Sequence, residues 1–192
     1  AIYQATRRTI AAGHRNIALY AGAPHPDCGL QIALEGFELA CNEAGVSINR
    51  AAIEESIAHD AGDLVVIREW MTRHMDATAI ISLTSAKARR IVSVCDVLGI
   101  RIPGDLSIVS QASAPMRVDD DSFIITGPKA NMSRTVEESF RLLDELINTR
   151  RSTHSQIVLK PDFVEGHTLA APRSGDLSIF LPQVPGIAAR EA

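Results

Sequence analysis

Aromatic residues are scarce in this chain, at 4% of its 192 residues, and cysteines are also few, with only three present. So few aromatic side chains argue against a ligand site built as an aromatic cage, and the many aliphatic residues favour close packing of helices on a sheet. The cysteines, Cys28, Cys41 and Cys95, are odd in number and lack the spacing of a metal site. We therefore expect free thiols in the reducing cytoplasm.

Long apolar runs and excess positive charge are also missing. No stretch reaches the roughly 18 to 20 apolar residues of a membrane-spanning helix, so we expect no membrane contact. The net charge of -4 argues against a nucleic-acid-binding surface on these residues, because duplex binding depends on Lys and Arg. Residues 1–8 lack the pattern of a signal peptide, and the chain starts with Ala1. We therefore expect it to be a piece of a longer protein.

Motifs of catalysis are absent as well. The chain has no Gly-x-Ser-x-Gly turn for a nucleophilic serine and no Gly-Lys-Ser or Gly-Lys-Thr phosphate loop. His25, Asp27 and Cys28 are three potential metal ligands, but Pro26 lies between them and no second cluster completes the set. A surface loop is the better interpretation of this segment. We expect no enzymatic activity, no cofactor and no metal site.

What the first 110 residues do contain is an alternation of helix and strand patterns. Apolar residues at helical spacing predict four helices, and short β-branched runs predict the strands between them. The predicted helices cover residues 1–12, 30–44, about 63–75 and 85–98, the third with Leu64, Ile67, Met71 and Met75 on its buried face; the predicted strands cover 16–22, 46–55 (weaker), 79–83 and 106–109. This order predicts an α/β fold with a layered parallel sheet.

The pattern changes after residue 110. A short strand is predicted at residues 123–126, and residues 156–168 resemble paired extended segments. Residues 132–148 predict a long amphipathic helix whose apolar face points inward; that face consists of Val136, Phe140, Leu143 and Ile147. The segment from Pro172 to the end contains three prolines and no sustained period, so we expect a loosely attached tail or a short extension.

The most specific segment is Gly-Ile-Arg-Ile-Pro-Gly-Asp-Leu-Ser-Ile-Val, at residues 99–109. Gly99 can adopt the left-handed conformation that ends a helix, and Pro103 prevents the helix from resuming. A turn at residues 103–105 then leads into a buried strand at 106–109. This sequence resembles the helix-to-strand junction of the lac and galactose repressor family.

Five further short sequence motifs, called phrases below, resemble motifs of the same family and occur in the same order as in that family. They are Gly-His-Arg-Asn-Ile-Ala at 13–18, Glu-Gly-Phe at 35–37, Ala-Thr-Ala-Ile-Ile at 77–81, Gly-Pro at 127–128, and Val-x-x-Pro-x-x-Val at 158–164. Together the phrases cover about residues 1–172. Six phrases in the right order are much harder to obtain by chance than one.

The resemblance implies a type I periplasmic-binding-protein-like fold, in which two α/β subdomains are hinged around an effector cleft. By this match residues 1–122 form one subdomain, and residues 123–155 supply a strand and a helix to the other, incomplete subdomain. Residues 156–172 return to the first subdomain, and residues 173–192 form a tail. The family places its DNA-binding domain ahead of this core, so operator DNA would be contacted only through a domain absent from this chain.

Several positions depart from the residues that bind sugars in the family. Ala33 stands in place of a common Arg, Ile57 in place of an aromatic residue, and Thr84 and Ser85 in place of Asn-Asp. Ala112, between Gln111 and Ser113, stands in place of an Asp, and Gly127 in place of a Gln. These eight positions are the effector-site residues that the resemblance implies. Because the charged hydrogen-bonding groups are lost together, we predict that the effector is not a typical sugar.

A small α/β hydrolase or other enzyme would need a reactive side chain in a cleft, which a sequence cannot show, and it ranks third among the functional hypotheses. Two others rank above it. The first is the effector-binding and dimerisation domain of a transcription regulator, which binds a small molecule and forms a homodimer through the helix at residues 85–98. The apolar face of that helix, Ile91, Val94, Cys95 and Leu98, favours the dimer slightly over simple packing on the sheet. The alternative is a periplasmic-type solute-binding receptor of related fold.

Overall fold

A computed structural model describes residues 1–21, 29–54, 63–117, 120–150 and 156–175. These ranges contain five α-helices and eight short strands, which alternate as far as β4. The helices are α1 (Ile2–Ala11), α2 (Gly29–Glu43), α3 (Asp63–Arg73), α4 (Ser85–Leu98) and α5 (Met132–Thr149). The strands are β1 (Ile17–Tyr20), β2 (Ile53–Glu54), β3 (Ala79–Ser82), β4 (Ser107–Ser110), β5 (Ala114–Arg117), β6 (Asp120–Ile125), β7 (Gly127–Lys129) and β8 (Asp162–Val164).

A four-stranded parallel sheet with the order β2-β1-β3-β4 forms the centre of the fold. One face of the sheet, with Tyr20, Ile80 and Ile108, packs against α3 and α4. Residues on the other face, including Leu19 and Val109, pack with α1 and α2. Because helices cover both faces, every residue of β1, β3 and β4 is buried, as continuous apolar strands require. The predicted α/β fold with a layered parallel sheet is confirmed.

The junction at residues 99–109 folds as its sequence predicts. Gly99 ends α4 in the left-handed conformation at φ 71°, and the Ile102–Pro103 peptide is cis. Asp105 then accepts two hydrogen bonds from the Arg101 guanidinium, at 2.8 and 2.7 Å, and one from the Arg101 backbone N–H at 2.8 Å. These bonds close the turn and set the direction in which β4 enters the sheet.

The buried face of α3 differs in part from the prediction. Ile67 and Met71 are buried as expected, but Leu64 is 45% exposed, so its assignment to the core is wrong. Leu64 lies in the first turn, whereas Trp70 further along the helix is buried and packs edge-on against Tyr20 with ring centroids 5.0 Å apart. The large indole fills the space against the sheet and leaves the start of the helix in solvent.

The strand predicted at 46–55 shortens to β2, which follows a single 3₁₀ turn at Arg50–Ala52.

The apolar stripe of α4 packs on the sheet and does not form an external face. Ile91 and Cys95 are fully buried, Val94 is nearly so, and Leu98 packs against the same core. The preference for this stripe as a dimer surface is therefore wrong, because the stripe is already covered by the chain's own strands. The outer face of α4 is mostly polar, and Val97 on this face is 81% exposed.

The inward face predicted for α5 is also wrong. Val136, Phe140, Leu143 and Ile147 are all exposed, Phe140 by 67%, and no residue of α5 is buried. The stripe has the predicted helical spacing, but no other described element packs against it.

Two further strand pairs lie outside the central sheet. β6 forms a hairpin with β5, a strand that was not predicted from the sequence, and β7 pairs with β8. That second pairing confirms that part of segment 156–168 is extended, but the partner strand is β7 and not another part of the same segment.

The segment that follows β8 returns to the central sheet. Ile108 donates a backbone hydrogen bond to the Thr168 carbonyl at 2.8 Å, and the buried Thr168 hydroxyl donates to the Ile108 carbonyl. Gly166 lies so close to this region that an added Cβ would be 2.2 Å from the Ile124 carbonyl oxygen. These contacts place residues 166–170 beside β4.

The start of the predicted tail is anchored. The Arg173 guanidinium donates to the carbonyls of Ala77, Asp105 and Met75 at 3.0, 2.7 and 2.7 Å. Of the two expectations for this segment, a loosely attached tail or a short packed extension, this residue agrees with the extension, since three backbone carbonyls at the sheet's amino edge hold it. Residues 176–192, the rest of the predicted tail, lie outside the described residues. Among the helices of the described ranges, none has the length and apolar character of a membrane span.

Candidate functional site

The carboxyl edge of the parallel sheet is where an α/β fold of this kind places its ligands, because the loops that follow the strands converge there. Two such loops are described: residues 83–85 after β3 and residues 111–113 after β4. The strands that carry them are paired, with Ser82 opposite Ser110. The backbone N–H of Gln111 donates to the Ser82 carbonyl at 2.8 Å, which holds the two loops side by side.

The first loop starts helix α4. The Thr84 hydroxyl accepts a hydrogen bond from the Lys87 backbone N–H at 3.1 Å and so caps the helix. The Ser82 hydroxyl donates to the Thr84 carbonyl at 3.0 Å. The hydroxyls of Ser82 and Thr84 are therefore both used in hydrogen bonds within the loop and the first turn of α4. The Ser85 hydroxyl, which is half-buried, makes no hydrogen bond with the described residues.

The second loop is held both by β7 and by a hydrogen bond within the loop. Ser113 donates its backbone N–H to the Pro128 carbonyl at 2.7 Å, and the Ala112 N–H donates to the Ser110 hydroxyl at 3.3 Å. The side chains of Gln111 and Ser113 are partly exposed and bond to none of the described residues. A carboxamide and a hydroxyl therefore remain available to a ligand on a rigid loop.

Gly127 closes the site from the side of β7. It is buried, and a Cβ at this position would lie 2.2 Å from the Ser110 carbonyl oxygen and 3.4 Å from the Ser113 nitrogen. No side chain fits there without moving the loop. Gly127 therefore contributes backbone packing rather than a hydrogen-bonding side chain, which gives a steric reason for the absence of Gln at this position.

Two cations of α4, Arg89 and Lys87, are close in sequence to the first loop. Arg89 donates to the Pro115 carbonyl at 3.3 Å, and partial burial lowers the pKa of Lys87 below its ordinary value. Lys87 was not predicted as a site residue, although a cation one turn after a strand's end is a signal that could have found it. All six loop residues are uncharged. Such a set of donors and acceptors suits a neutral ligand.

Two residues assigned to the effector site, Ala33 and Ile57, are not part of the described loops. Ala33 is buried on α2 among the core residues that include Phe37, so it offers only an apolar packing surface. Ile57 lies outside the described residues, as do the potential metal ligands of residues 25–28. In the described part of the chain, no three His, Cys, Asp or Glu side chains lie close enough together to hold a metal ion. The structure thus brings together Thr84, Ser85, Gln111, Ala112, Ser113 and Gly127.

The two described cysteines are packing residues. Burial raises the pKa of the Cys41 thiol to about 11 and that of the Cys95 thiol to about 12. A thiol with such a pKa is protonated at neutral pH and is a poor nucleophile. Neither cysteine contributes reactive chemistry to the site.

Comparisons with known proteins agree with this architecture. A family described as the periplasmic binding protein-like domain matches residues 6–169. The ribose operon repressor of Haemophilus influenzae is 28% identical over 164 residues, which cover 84% of this chain and 48% of that protein. The chain thus spans about half the length of this curated relative.

Solved structures share the fold. A transcription regulator from Lactobacillus plantarum has a TM-score of 0.76 at 24% identity and covers 88% of this chain and 64% of its own. A LacI family regulator from Enterococcus faecium with bound ribose has a TM-score of 0.72 at 19% identity, covering 90% of this chain and 63% of its own. The matches confirm the resemblance to the lac and galactose repressor family. The Haemophilus influenzae relative is described as an operon repressor and the Lactobacillus plantarum relative as a transcription regulator.

Proposed function

Because the chain belongs to the periplasmic binding protein-like domain family, we propose that it is the effector-binding core of a transcription regulator of the lac and galactose repressor type. The observation that carries this proposal is the pair of rigid loops at the carboxyl edge of the sheet. In these loops Ser85, Gln111 and Ser113 have side chains without a partner among the described residues. The solute-receptor alternative is not favoured, since the Haemophilus influenzae and Lactobacillus plantarum relatives are regulators.

The effector that suits these loops is small and neutral. Their free groups are two hydroxyls and a carboxamide, which form neutral hydrogen bonds with a net value of about 0.5 to 1.5 kcal/mol each. Charged acceptors that bind sugar hydroxyls more strongly, by about 1.5 to 3 kcal/mol, are not among the residues of either loop. The Enterococcus faecium relative was solved with ribose, but the departures at Ala112 and Gly127 argue against the same ligand here.

Residues 123–155 are proposed to belong to a second subdomain, whereas residues 1–122 and 156–172 form the first and residues 173–192 the tail. The exposed apolar stripe of α5 supports this division, because a stripe of that kind needs another layer to cover it. An effector held between the two subdomains would close the cleft and change the spacing of DNA-binding domains outside this chain. Such a regulator would act in the cytoplasm.

A homodimer through the α4 region is also proposed, by its outer face rather than its buried stripe. Val97 is exposed on that face. We expect Val97→Arg to weaken self-association of the full-length protein in sedimentation experiments, since a charge in a dimer interface is costly to desolvate. Val158→Arg is the matched control, because Val158 is equally exposed, at 83%, on another segment. Equal association of the two variants would contradict the α4 interface.

A thermal-shift panel on the full-length protein tests the effector class. The panel contains a neutral purine base, hypoxanthine, together with D-ribose and succinate. We expect neutral, non-sugar compounds to raise the unfolding midpoint and succinate to leave it unchanged, because binding to the native state stabilises it. Gln111→Ala should reduce the shift, whereas the control Gln31→Ala, on the exposed side of α2, should not. A shift of several degrees with ribose would overturn the prediction that sugar chemistry is lost.

A further inference from the structure

A second concave surface lies between α1, the first turn of α5 and β8. It is a groove of about 830 Å³, within the range of roughly 300 to 1,000 Å³ that small-molecule sites occupy. None of the residues of loops 83–85 and 111–113 lines it. The groove is therefore separate from the proposed effector site, and binding in it would not depend on the proposed function.

Positive charge is concentrated in this groove, although the chain as a whole carries a net charge of -4. Its walls include Arg7 and Arg8 from α1, Arg134 from α5 and Lys160 from the segment before β8. A single acidic residue, Asp162, lines the same surface. Cations from three separate segments of the chain thus converge on one concavity.

Two of the cations are already fixed in position. The Arg7 guanidinium donates to the Tyr3 hydroxyl at 3.1 Å and to the Glu43 carboxylate at 3.3 Å. The Arg8 guanidinium lies 5.0 Å from the centre of the Phe163 ring and 3.1 Å from a Glu165 oxygen. Arg7 and Arg8 therefore form preorganised walls, and Phe163 adds an apolar surface beside them.

The other two cations, Arg134 and Lys160, have no hydrogen-bond or ion-pair partner for their side chains among the described residues. The guanidinium matches the geometry of phosphate and carboxylate oxygens, and the ammonium acts as a point charge toward the same groups. An anion with more than one charged group could contact both of them at once. Their unmatched charge is the strongest indication of what the groove binds.

The groove can stay open when the apolar stripe of α5 is covered. Arg134 is two residues from Val136 along the helix and therefore points to the opposite side of it. Arg141, on the same side as Arg134, pairs with Glu138 at 2.9 Å, as is typical of a solvent-facing helix surface. A second subdomain packed on the stripe would not need to fill the groove.

We propose that the groove between α1, α5 and β8 binds a small organic anion carrying two or more phosphate or carboxylate groups, with Arg134 and Lys160 as its principal contacts. Phosphate and carboxylate share the chemistry that the two cations recognise. The volume of the groove favours a small molecule over a macromolecular partner.

Calorimetric titration of the full-length protein at low salt with sodium pyrophosphate, and separately with sodium citrate, tests this proposal. We expect saturable binding of at least one anion, weakening as salt is added. The double variant Arg134→Ala, Lys160→Ala should raise the dissociation constant about tenfold or more, because two charge-assisted contacts are lost. The two probes distinguish a phosphate preference from a carboxylate preference.

The control is Arg68→Ala. Arg68 is exposed on α3, on the opposite face of the sheet from α1, and its side chain has no partner among the described residues. Its loss should change the dissociation constant less than twofold. The proposal is overturned if neither anion gives saturable heat, or if the double variant and the control bind equally. A short DNA duplex of random sequence is titrated as a third probe. The proposal is also overturned if only this duplex binds and the double variant weakens its binding.

Discussion

The two edges of the central sheet use their polar groups in opposite ways. At the amino edge, side chains from distant segments reach the ends of the strands: His14 bonds to the Thr78 hydroxyl and to the Ala170 carbonyl, both at 2.8 Å, and Arg173 binds three carbonyls. At the carboxyl edge, the side-chain hydrogen bonds of the loops are local, and the side chains of Gln111 and Ser113 have no partner among the described residues.

We therefore associate the amino edge with the stability of the fold and the carboxyl edge with ligand binding. Long-range bonds at the amino edge fix the first helix, the junction before β4 and the return segment to one another. Burial lowers the pKa of His14, so its neutral form is favoured in the folded chain. The carboxyl edge is rigid without using all of its polar groups, as a preorganised ligand site requires. We therefore expect substitutions at the amino edge to change the free energy of unfolding most.

The largest effect is expected for Arg173→Ala. The substitution removes three hydrogen bonds from a charged donor and leaves the carbonyls of Ala77, Asp105 and Met75 without that donor. We expect a loss of about 3 kcal/mol in the free energy of unfolding, measured by urea denaturation. Arg68→Ala, at an exposed position on α3, should cost less than about 0.5 kcal/mol. A similar small loss for both variants would mean that the amino edge is not the stabilising edge.

Gly127→Ala tests the one position where the carboxyl edge is tightly packed. The new Cβ would overlap the Ser110 carbonyl oxygen at 2.2 Å, so the loop must shift. We expect a loss of about 2 kcal/mol in the free energy of unfolding, as is typical of overpacking. Gly29→Ala is the control, because its Cβ would meet nothing within 4 Å. Full stability of Gly127→Ala would show that the loop is not held against this glycine.

Asp105→Asn should have a smaller, pH-dependent effect. The hydrogen bond from the Arg101 side chain lowers the pKa of the Asp105 carboxyl from 3.8 to about 2. Because the folded-state pKa is the lower one, the stabilisation is present above about pH 3.8 and is lost as the pH falls toward 2. We expect Asp105→Asn to cost about 1 kcal/mol at pH 7 and to remove part of the acid sensitivity. Unchanged acid unfolding in the variant would contradict this role.

The smallest change in stability is expected at the free side chains of the carboxyl edge. Ser113→Ala and Gln111→Ala remove no hydrogen bond within the described residues, so each should change the free energy of unfolding by less than about 0.5 kcal/mol. Both should nevertheless reduce the thermal shift produced by a bound effector. Ser93→Ala, which loses a bond to the Arg89 carbonyl on the outside of α4, is the control without an effect on binding. A large stability loss in Ser113→Ala would assign that residue to the scaffold.

Much of the fold could be predicted because local signals and burial agree in the first α/β unit. Gly99 and Thr84 end and start helices by their own conformations and side chains, and the apolar runs of β1 and β3 fit a sheet covered on both faces. Helix periodicity alone could not say what an apolar face packs against. The stripes of α4 and α5 have similar spacing, yet Ile91 is fully buried and Ile147 is 68% exposed.

The location of the candidate site could be predicted from the sequence, but the contacts that shape it could not. The order of the strands locates Thr84, Ser85, Gln111 and Ser113 at one edge from sequence alone. The packing of Gly127 against Ser110 depends on a contact between distant segments, as does the binding of Arg173 to three carbonyls. No local pattern carries that information.

Hydrogen exchange on the full-length protein, with and without the neutral compound that most raises its unfolding midpoint, tests most directly whether ligands bind at the carboxyl edge. Binding there should slow exchange of backbone amides in residues 82–85 and 110–113, because bound loops open less often. Exchange at residues 13–16 and 168–173 should slow only as much as the whole protein is stabilised. Specific protection of the amino-edge segments, with none at the two loops, would contradict the assignment of binding to the carboxyl edge.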